Sequence, residues 1–134
     1  MVAAVRSITK QEAVPVEWSN HDLRKEVGML KKVRLSEHDL NALELCFKDN
    51  FLPEDRLWVF GSRADLNQKG GDIDLYIETY APTGEGAIKM QLAFLADFED
   101  MIGEQKIDVV LNMLNFPYHL PIHAVALMEG VRIV

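Results

Sequence analysis

The sequence predicts one α/β domain, built from a short mixed sheet with helices packed mainly on one face. Three β-prone runs carry this prediction: Leu57–Phe60, Ile73–Thr79 and Ile107–Leu111. Two segments with helical spacing of apolar residues, Ser36–Asn50 and Ala87–Ile102, alternate with them. A chain of 134 residues with 49% hydrophobic residues has the size and composition of one ordinary core.

Composition excludes several classes of protein. The net charge of −7 argues against a long nucleic-acid footprint, since phosphate contacts need clustered Lys and Arg. Cys46 is the single cysteine, so no internal disulfide can form, and its apolar flanks suggest a core residue in a reducing compartment. No apolar run reaches the length of a membrane span, and the N-terminus has no clear signal-peptide pattern. We therefore expect a cytoplasmic protein.

The chain divides into an N-terminal extension, residues 1–34, and a domain, residues 35–134. The extension is weakly patterned, and we expect it to be flexible or to bind a partner. The first helix of the domain begins after Ser36, which heads a capping-box-like start, and ends near Asn50, ahead of Pro53.

The second half of the chain continues the alternation of helices and strands. Gly103 is a plausible stop for the helix over Ala87–Ile102. Pro121 suits the first turn of a third helix, and Val131–Val134 is predicted as a last short strand. His119 and His123 are four residues apart, but no third nitrogen or sulfur ligand is nearby. We interpret both as surface or packing residues.

The strand Ile73–Thr79 carries the first chemical signal. Strict alternation places Asp72, Asp74 and Tyr76 on one face and the apolar residues on the other. Two neighbouring carboxylates are costly to bury unless a cation lies between them. An all-oxygen site of this kind suits Mg²⁺ or Mn²⁺, so Asp72 and Asp74 are candidate metal ligands.

The turn after the first strand carries the second signal. Gly61 and Ser62 end that strand, and a backbone corner with a hydroxyl can hold phosphate oxygens. Asp108 lies inside the strand Ile107–Leu111, where an acidic residue needs a reason. Either this is an edge strand with Asp108 in water, or Asp108 joins Asp72 and Asp74 as a third carboxylate; we favour the second interpretation.

These residues resemble a known family. The pattern F-G-S-R-A…G-D-I-D-L is similar to the signature of the DNA polymerase β-like nucleotidyltransferases, and most similar to their small bacterial branch, the minimal nucleotidyltransferases. The resemblance covers about Leu35 to Val134. Its specificity depends on five residues: Gly61, Ser62, Arg63, Asp72 and Asp74. Nine residues separate Ser62 from Asp72, one fewer than is usual in that branch.

The resemblance implies a polymerase β-like fold and transfer of AMP from Mg-ATP to a hydroxyl. Members of the branch commonly act as antitoxins of HEPN proteins, so it implies a tyrosine or other hydroxyl of a HEPN toxin as acceptor. Asp72, Asp74 and Asp108 would bind Mg²⁺ and act in catalysis, while Gly61, Ser62 and Arg63 would bind the nucleotide. A homo- or hetero-oligomer is compatible with this role.

Two other functions stay open. The first is an antitoxin that neutralises its partner by binding alone, which the shortened loop favours and the three aspartates oppose. The second is a nucleotidyltransferase that modifies small molecules, as antibiotic-modifying enzymes do.

Overall fold

The computed structural model describes residues 33–67 and 71–134. Most of the extension predicted over residues 1–34 therefore lies outside the described residues. Residues 33–134 belong to one compact unit. In chain order the helices and strands are α1 (Glu37–Asn50), β1 (Arg56–Phe60), a 3-10 helix (Gly61–Ala64), β2 (Ile73–Thr79), α2 (Gly84–Ile102), β3 (Ile107–Met113), α3 (Pro121–Glu129) and β4 (Val131–Arg132).

The four described strands form one mixed sheet in the order β3-β2-β1-β4. Strand β1 pairs antiparallel with both β2 and β4, whereas β2 and β3 are parallel. Parallel neighbours need a long crossover, and α2 provides it between β2 and β3. The predicted α/β class and mixed sheet are confirmed.

Helix ends follow local side-chain chemistry. Ser36 Oγ accepts a hydrogen bond from the Asp39 N–H at 3.0 Å, as the predicted cap requires. Helix α2 begins at Gly84 rather than at Ala87, because Thr83 Oγ1 accepts from the Gly86 N–H at 3.0 Å. The apolar residues at helical spacing start only after this cap, so the predicted start of the helix, Ala87, is three residues later than the observed one.

The main core lies between one face of the sheet and helices α1 and α2. Ile73, Leu75 and Ile77 of β2 are fully buried on this face. Phe47 of α1 and Phe94 of α2 meet there edge to face, with ring centroids 5.8 Å apart. Such burial of aromatic and branched side chains supplies the main driving force for folding.

A buried carboxylate holds the turn between α1 and β1. Asp55 is fully buried, and its Oδ2 accepts hydrogen bonds from Thr79 Oγ1 at 2.6 Å and from the Leu52 N–H at 3.1 Å. Its Oδ1 accepts from the Tyr80 N–H at 2.9 Å. Asp55 therefore ties the start of β1 to the end of β2.

Helix α3 contacts the other face of the sheet. Unlike α1 and α2, it buries a polar side chain. It buries His123 and Ala126, while Val125 and Met128 are exposed. The His123 ring lies 5.8 Å from the ring of Tyr76, which is fully buried on the same face of β2 as Asp74. None of the helices described in residues 33–67 and 71–134 is both long and apolar enough to cross a membrane.

Candidate active site

Two carboxylates face each other across the parallel strands. The register pairs Asp74 of β2 with Asp108 of β3, so both side chains project from the same face of the sheet. Strand β3 is an edge of the described sheet and Asp108 is exposed, as the first interpretation of this residue required. Asp108 nevertheless lies beside Asp74, and the adjacency that the second interpretation required is confirmed.

The electrostatics of Asp74 reflect this crowding. Burial raises the pKa of Asp74 from its ordinary value of 3.8, and the negative charges of Asp108 and Asp72 raise it further. Hydrogen bonding between the protonated Asp74 carboxyl and Asp108 adds to the rise, whereas Lys106 opposes it. A carboxylate whose neighbours are carboxylates favours either a proton or a cation.

Asp72 is engaged differently from the other two. Its Oδ2 lies 3.4 Å from Lys106 Nζ, and both side chains are substantially exposed, Asp72 by 44% and Lys106 by 71%. Across residues 33–67 and 71–134, no three Asp, Glu, His or Cys side chains are already arranged as a metal-binding group. The oxygen donors of Asp72, Asp74 and Asp108 still fit Mg²⁺ or Mn²⁺ in kind, and the mutual repulsion at Asp74 favours a cation there.

Gly61 brings the predicted phosphate-binding corner against Asp74. Gly61 opens the 3-10 helix with φ of 70°, a conformation that side chains other than glycine rarely adopt. A Cβ atom at this position would overlap Asp74 Oδ2 and lie 3.2 Å from Asp74 Cγ. The glycine is therefore required for the Asp74 carboxylate to lie directly on the corner.

Ser62 faces the far end of the same loop. A Cβ atom built on Gly71 would overlap Ser62 Oγ, so the chain returns beside the hydroxyl immediately before Asp72. Residues 68–70 of this loop are not among the described residues. The structure thus brings Gly61, Ser62, Asp74 and Asp108 together at one end of β2.

Arg63 contacts the protein backbone. Its Nη1 donates to the Arg34 carbonyl at 2.7 Å and its Nε donates to the Gly71 carbonyl at 3.3 Å. Arg34 donates three hydrogen bonds to backbone carbonyls of the corner. Its N–H donates to Arg63 O at 2.8 Å, its Nη2 to Ser62 O at 2.9 Å and its Nε to Asp65 O at 3.0 Å. The two arginines fix the shape of the corner.

Sequence reasoning missed Arg34. It lies in the segment assigned to the extension, and its partners are 28 to 31 residues away along the chain. No local pattern marks such a contact. The only usable signal was that Arg34 lies two residues before Ser36, the cap of helix α1.

A second polar cluster lies on the same face of β2, further along the strand. The Tyr76 hydroxyl donates to Glu78 Oε2 at 2.8 Å and accepts from Asn112 Nδ2 at 2.9 Å. Burial raises the pKa of Tyr76 to about 12. His123 Nδ1 accepts from the Leu120 N–H at 3.2 Å, and burial lowers the pKa of this imidazole. The cluster joins α3 to the sheet next to the aspartates.

The sequence was also compared with known proteins. No family model matches it, and a search of curated proteins gives no match either.

Proposed function

We propose that this chain is a Mg²⁺-dependent nucleotidyltransferase of polymerase β-like fold that transfers AMP from ATP to a hydroxyl of a protein partner. The observation that carries the proposal is the pairing of Asp74 with Asp108 directly against the Gly61 corner. Burial raises the pKa of Asp74, and the like charges of Asp108 and Asp72 raise it further; a divalent cation would relieve that repulsion.

The described residues suit distinct parts of such a reaction. Asp72 and Asp74 would hold Mg²⁺ on the nucleotide phosphates, and Asp108 would complete the metal site. The bound metal would neutralise charge on the phosphoryl group and lower the pKa of the acceptor hydroxyl. The Ser62 hydroxyl and the Gly61 backbone would bind the phosphates, while Arg63 would keep the corner in shape.

The chemical step is a substitution at the α-phosphorus. The acceptor oxygen forms the new bond to phosphorus, the bond to the bridging oxygen breaks, and pyrophosphate leaves with that oxygen. Of the three aspartates, Asp108 is the most exposed to solvent, and its carboxylate would take the proton of the acceptor hydroxyl.

A partner protein is supported by an exposed apolar surface. From Val109 to Met128 the sequence contains no Asp, Glu, Lys or Arg. Seven of the thirteen exposed large apolar side chains among the described residues lie within this stretch: Phe116, Tyr118, Leu120, Ile122, Val125, Leu127 and Met128. Contiguous exposed apolar residues are typical of protein interfaces. We propose a HEPN-family toxin as the partner, in the cytoplasm.

The same surface favours a second candidate function, an antitoxin that neutralises its partner by binding alone. The Ser62–Asp72 loop, one residue shorter than is usual in the branch that the sequence resembles, points the same way. This candidate needs the apolar surface but not the carboxylates, so the two functions respond differently to the same variant.

The test is transfer of AMP from labelled ATP to the partner, with Asp72→Asn and Asp74→Asn combined. We expect the double variant to lose at least about 100-fold in transfer rate, as removal of an electrostatic catalytic group does, while it still binds the partner. Glu99→Gln with Asp100→Asn is the matched control, because it removes two carboxylates that are exposed on α2. Full neutralisation of the partner in cells by the Asp72/Asp74 double variant would instead establish the binding antitoxin.

A further inference from the structure

Lys106 is a cationic side chain that contacts the aspartate cluster through Asp72. Strand alternation places Lys106 on the same side as Asp108, two residues later. Its carbonyl accepts from the Ile73 N–H at 3.1 Å, which fixes its backbone next to Asp72. Its ammonium contacts Asp72 Oδ2 at 3.4 Å.

The influence of Lys106 extends beyond its direct partner. Asp72, which Lys106 contacts, projects from the same face of β2 as Asp74, and Asp74 pairs in register with Asp108. A single ammonium group therefore lies beside a cluster of three carboxylates that repel one another. A divalent cation bound among these carboxylates would reduce their repulsion more strongly, because it carries twice the charge of the ammonium group.

We propose that Lys106 is a tethered counter-cation that neutralises the Asp72, Asp74 and Asp108 cluster in the metal-free protein and gives up Asp72 when a divalent cation binds. The inference rests on the proposed function, because it assigns the metal to these carboxylates. It adds that the metal must compete with a cation of the chain itself, so Lys106 sets the metal affinity of the site.

The exposure of the pair makes such an exchange feasible. Lys106 is 71% and Asp72 is 44% exposed, so water can solvate both groups once they separate. Exposed ion pairs are weak and sensitive to salt. A flexible lysine can swing into solvent without any change in the strands that carry Asp74 and Asp108.

The experiment compares the full chain with Lys106→Met, Lys106→Arg and Lys89→Met. Lys89 is a matched control, since it is 75% exposed and pairs with Glu85 at 3.6 Å on the exposed surface of α2. Mn²⁺ affinity is measured by isothermal titration without nucleotide, and Tm is measured in chelator and in saturating Mn²⁺.

We expect Lys106→Met to bind Mn²⁺ about two- to fivefold more tightly, a factor in keeping with the weakness of an exposed pair. The Tm of Lys106→Met should fall by about 1–4 °C in chelator and return to the wild-type value in Mn²⁺. Both differences should shrink in high salt. Lys106→Arg keeps the charge and should behave like the wild type, as should Lys89→Met.

The outcomes separate this inference from the proposed function. Unchanged or weaker Mn²⁺ binding by Lys106→Met would overturn the counter-cation, even if the wild type transfers AMP. Tighter binding by that variant, in a protein that transfers no AMP, would support the counter-cation and reject the enzyme. Absence of Mn²⁺ binding by all four proteins would overturn the inference at its base.

Discussion

Asp55 and Asp74 show two opposite ways of placing a carboxylate in one small domain. Asp55 is fully buried and accepts three hydrogen bonds, from Leu52, Thr79 and Tyr80. Asp74 is only partly buried, and the charges that act on it are those of two carboxylates, Asp108 and Asp72, and one cation, Lys106.

The difference teaches how to separate structural from functional acids. Donors around Asp55 satisfy its charge within the fold, so nothing further is needed to stabilise it. Carboxylates around Asp74 leave its charge unsatisfied, so the site gains from a ligand that the fold does not supply. If depth of burial alone were used to find functional acids, the structural Asp55 would be ranked ahead of Asp74.

The largest expected effect is the loss of Asp55. Asp55→Ala leaves three donors without their acceptor and should lower the free energy of unfolding by about 3–5 kcal/mol, since each buried unsatisfied group costs roughly 1–3 kcal/mol. Urea denaturation measures it. Asp65→Ala is the control, because Asp65 is exposed and its carboxylate accepts one hydrogen bond, from the Asn67 N–H. The cost of this substitution should stay within about 1 kcal/mol. Equal costs for both variants would refute the structural role of Asp55.

A smaller effect is expected where the backbone touches Asp74. Gly61→Ala should cost about 2–3 kcal/mol, from positive φ and from overlap with the Asp74 carboxylate. Gly103→Ala, at φ of 90° and ψ of 172°, meets no atom within 4 Å, so it should show the backbone cost alone, about 1–3 kcal/mol. Chemical denaturation gives both values, and Mn²⁺ titration should show weakened binding for Gly61→Ala alone.

The smallest effect, with the opposite sign, is expected at Asp74 itself. Its folded-state pKa is raised from 3.8, so its contribution to stability is complete below about that pH and is lost as the pH rises through the folded-state pKa. The amide in Asp74→Asn stays neutral. In chelator the variant should therefore match the wild type near pH 4 and become more stable above it, by less than about 1 kcal/mol at pH 7.

Melting curves from pH 4 to pH 7 measure this trend. Saturating Mn²⁺ should reverse the order at pH 7, because the wild type binds the metal and the variant binds it poorly. A Tm for Asp74→Asn that lies well below the wild type in chelator at every pH would mean that Asp74, like Asp55, is structural.

Much of the fold could be predicted because its signals are local. The bounds of β2 agree with the predicted strand, since strict alternation marks every residue from Ile73 to Thr79. Strand β3 continues to Met113, beyond the predicted Leu111, because Asn112 and Met113 pair with the end of β2. The C-terminal end of β3 is therefore set by pairing with β2. The local sequence of β3 does not show which residues of another strand it will pair with.

The candidate site divides in the same way. The spacing of Asp72 and Asp74 and the unusual position of Asp108 were visible in the sequence, and the structure brings Asp108 beside Asp74. The contacts of Lys106 and Arg34 were not visible, because both depend on how distant strands and turns come together. Long flexible cations give no periodic signal from which a partner could be inferred.

The parallel register of β2 and β3 has a consequence for how the gene can change. Asp74 and Asp108 meet because the two strands start in step at Ile73 and Ile107. Codons added or removed in the connections around α2 alter the surface and leave that step intact. One codon inserted between Ile107 and Asp108 would turn Asp108 to the opposite face. Insertions and deletions should therefore be tolerated at the ends of α2 and eliminated within the strands.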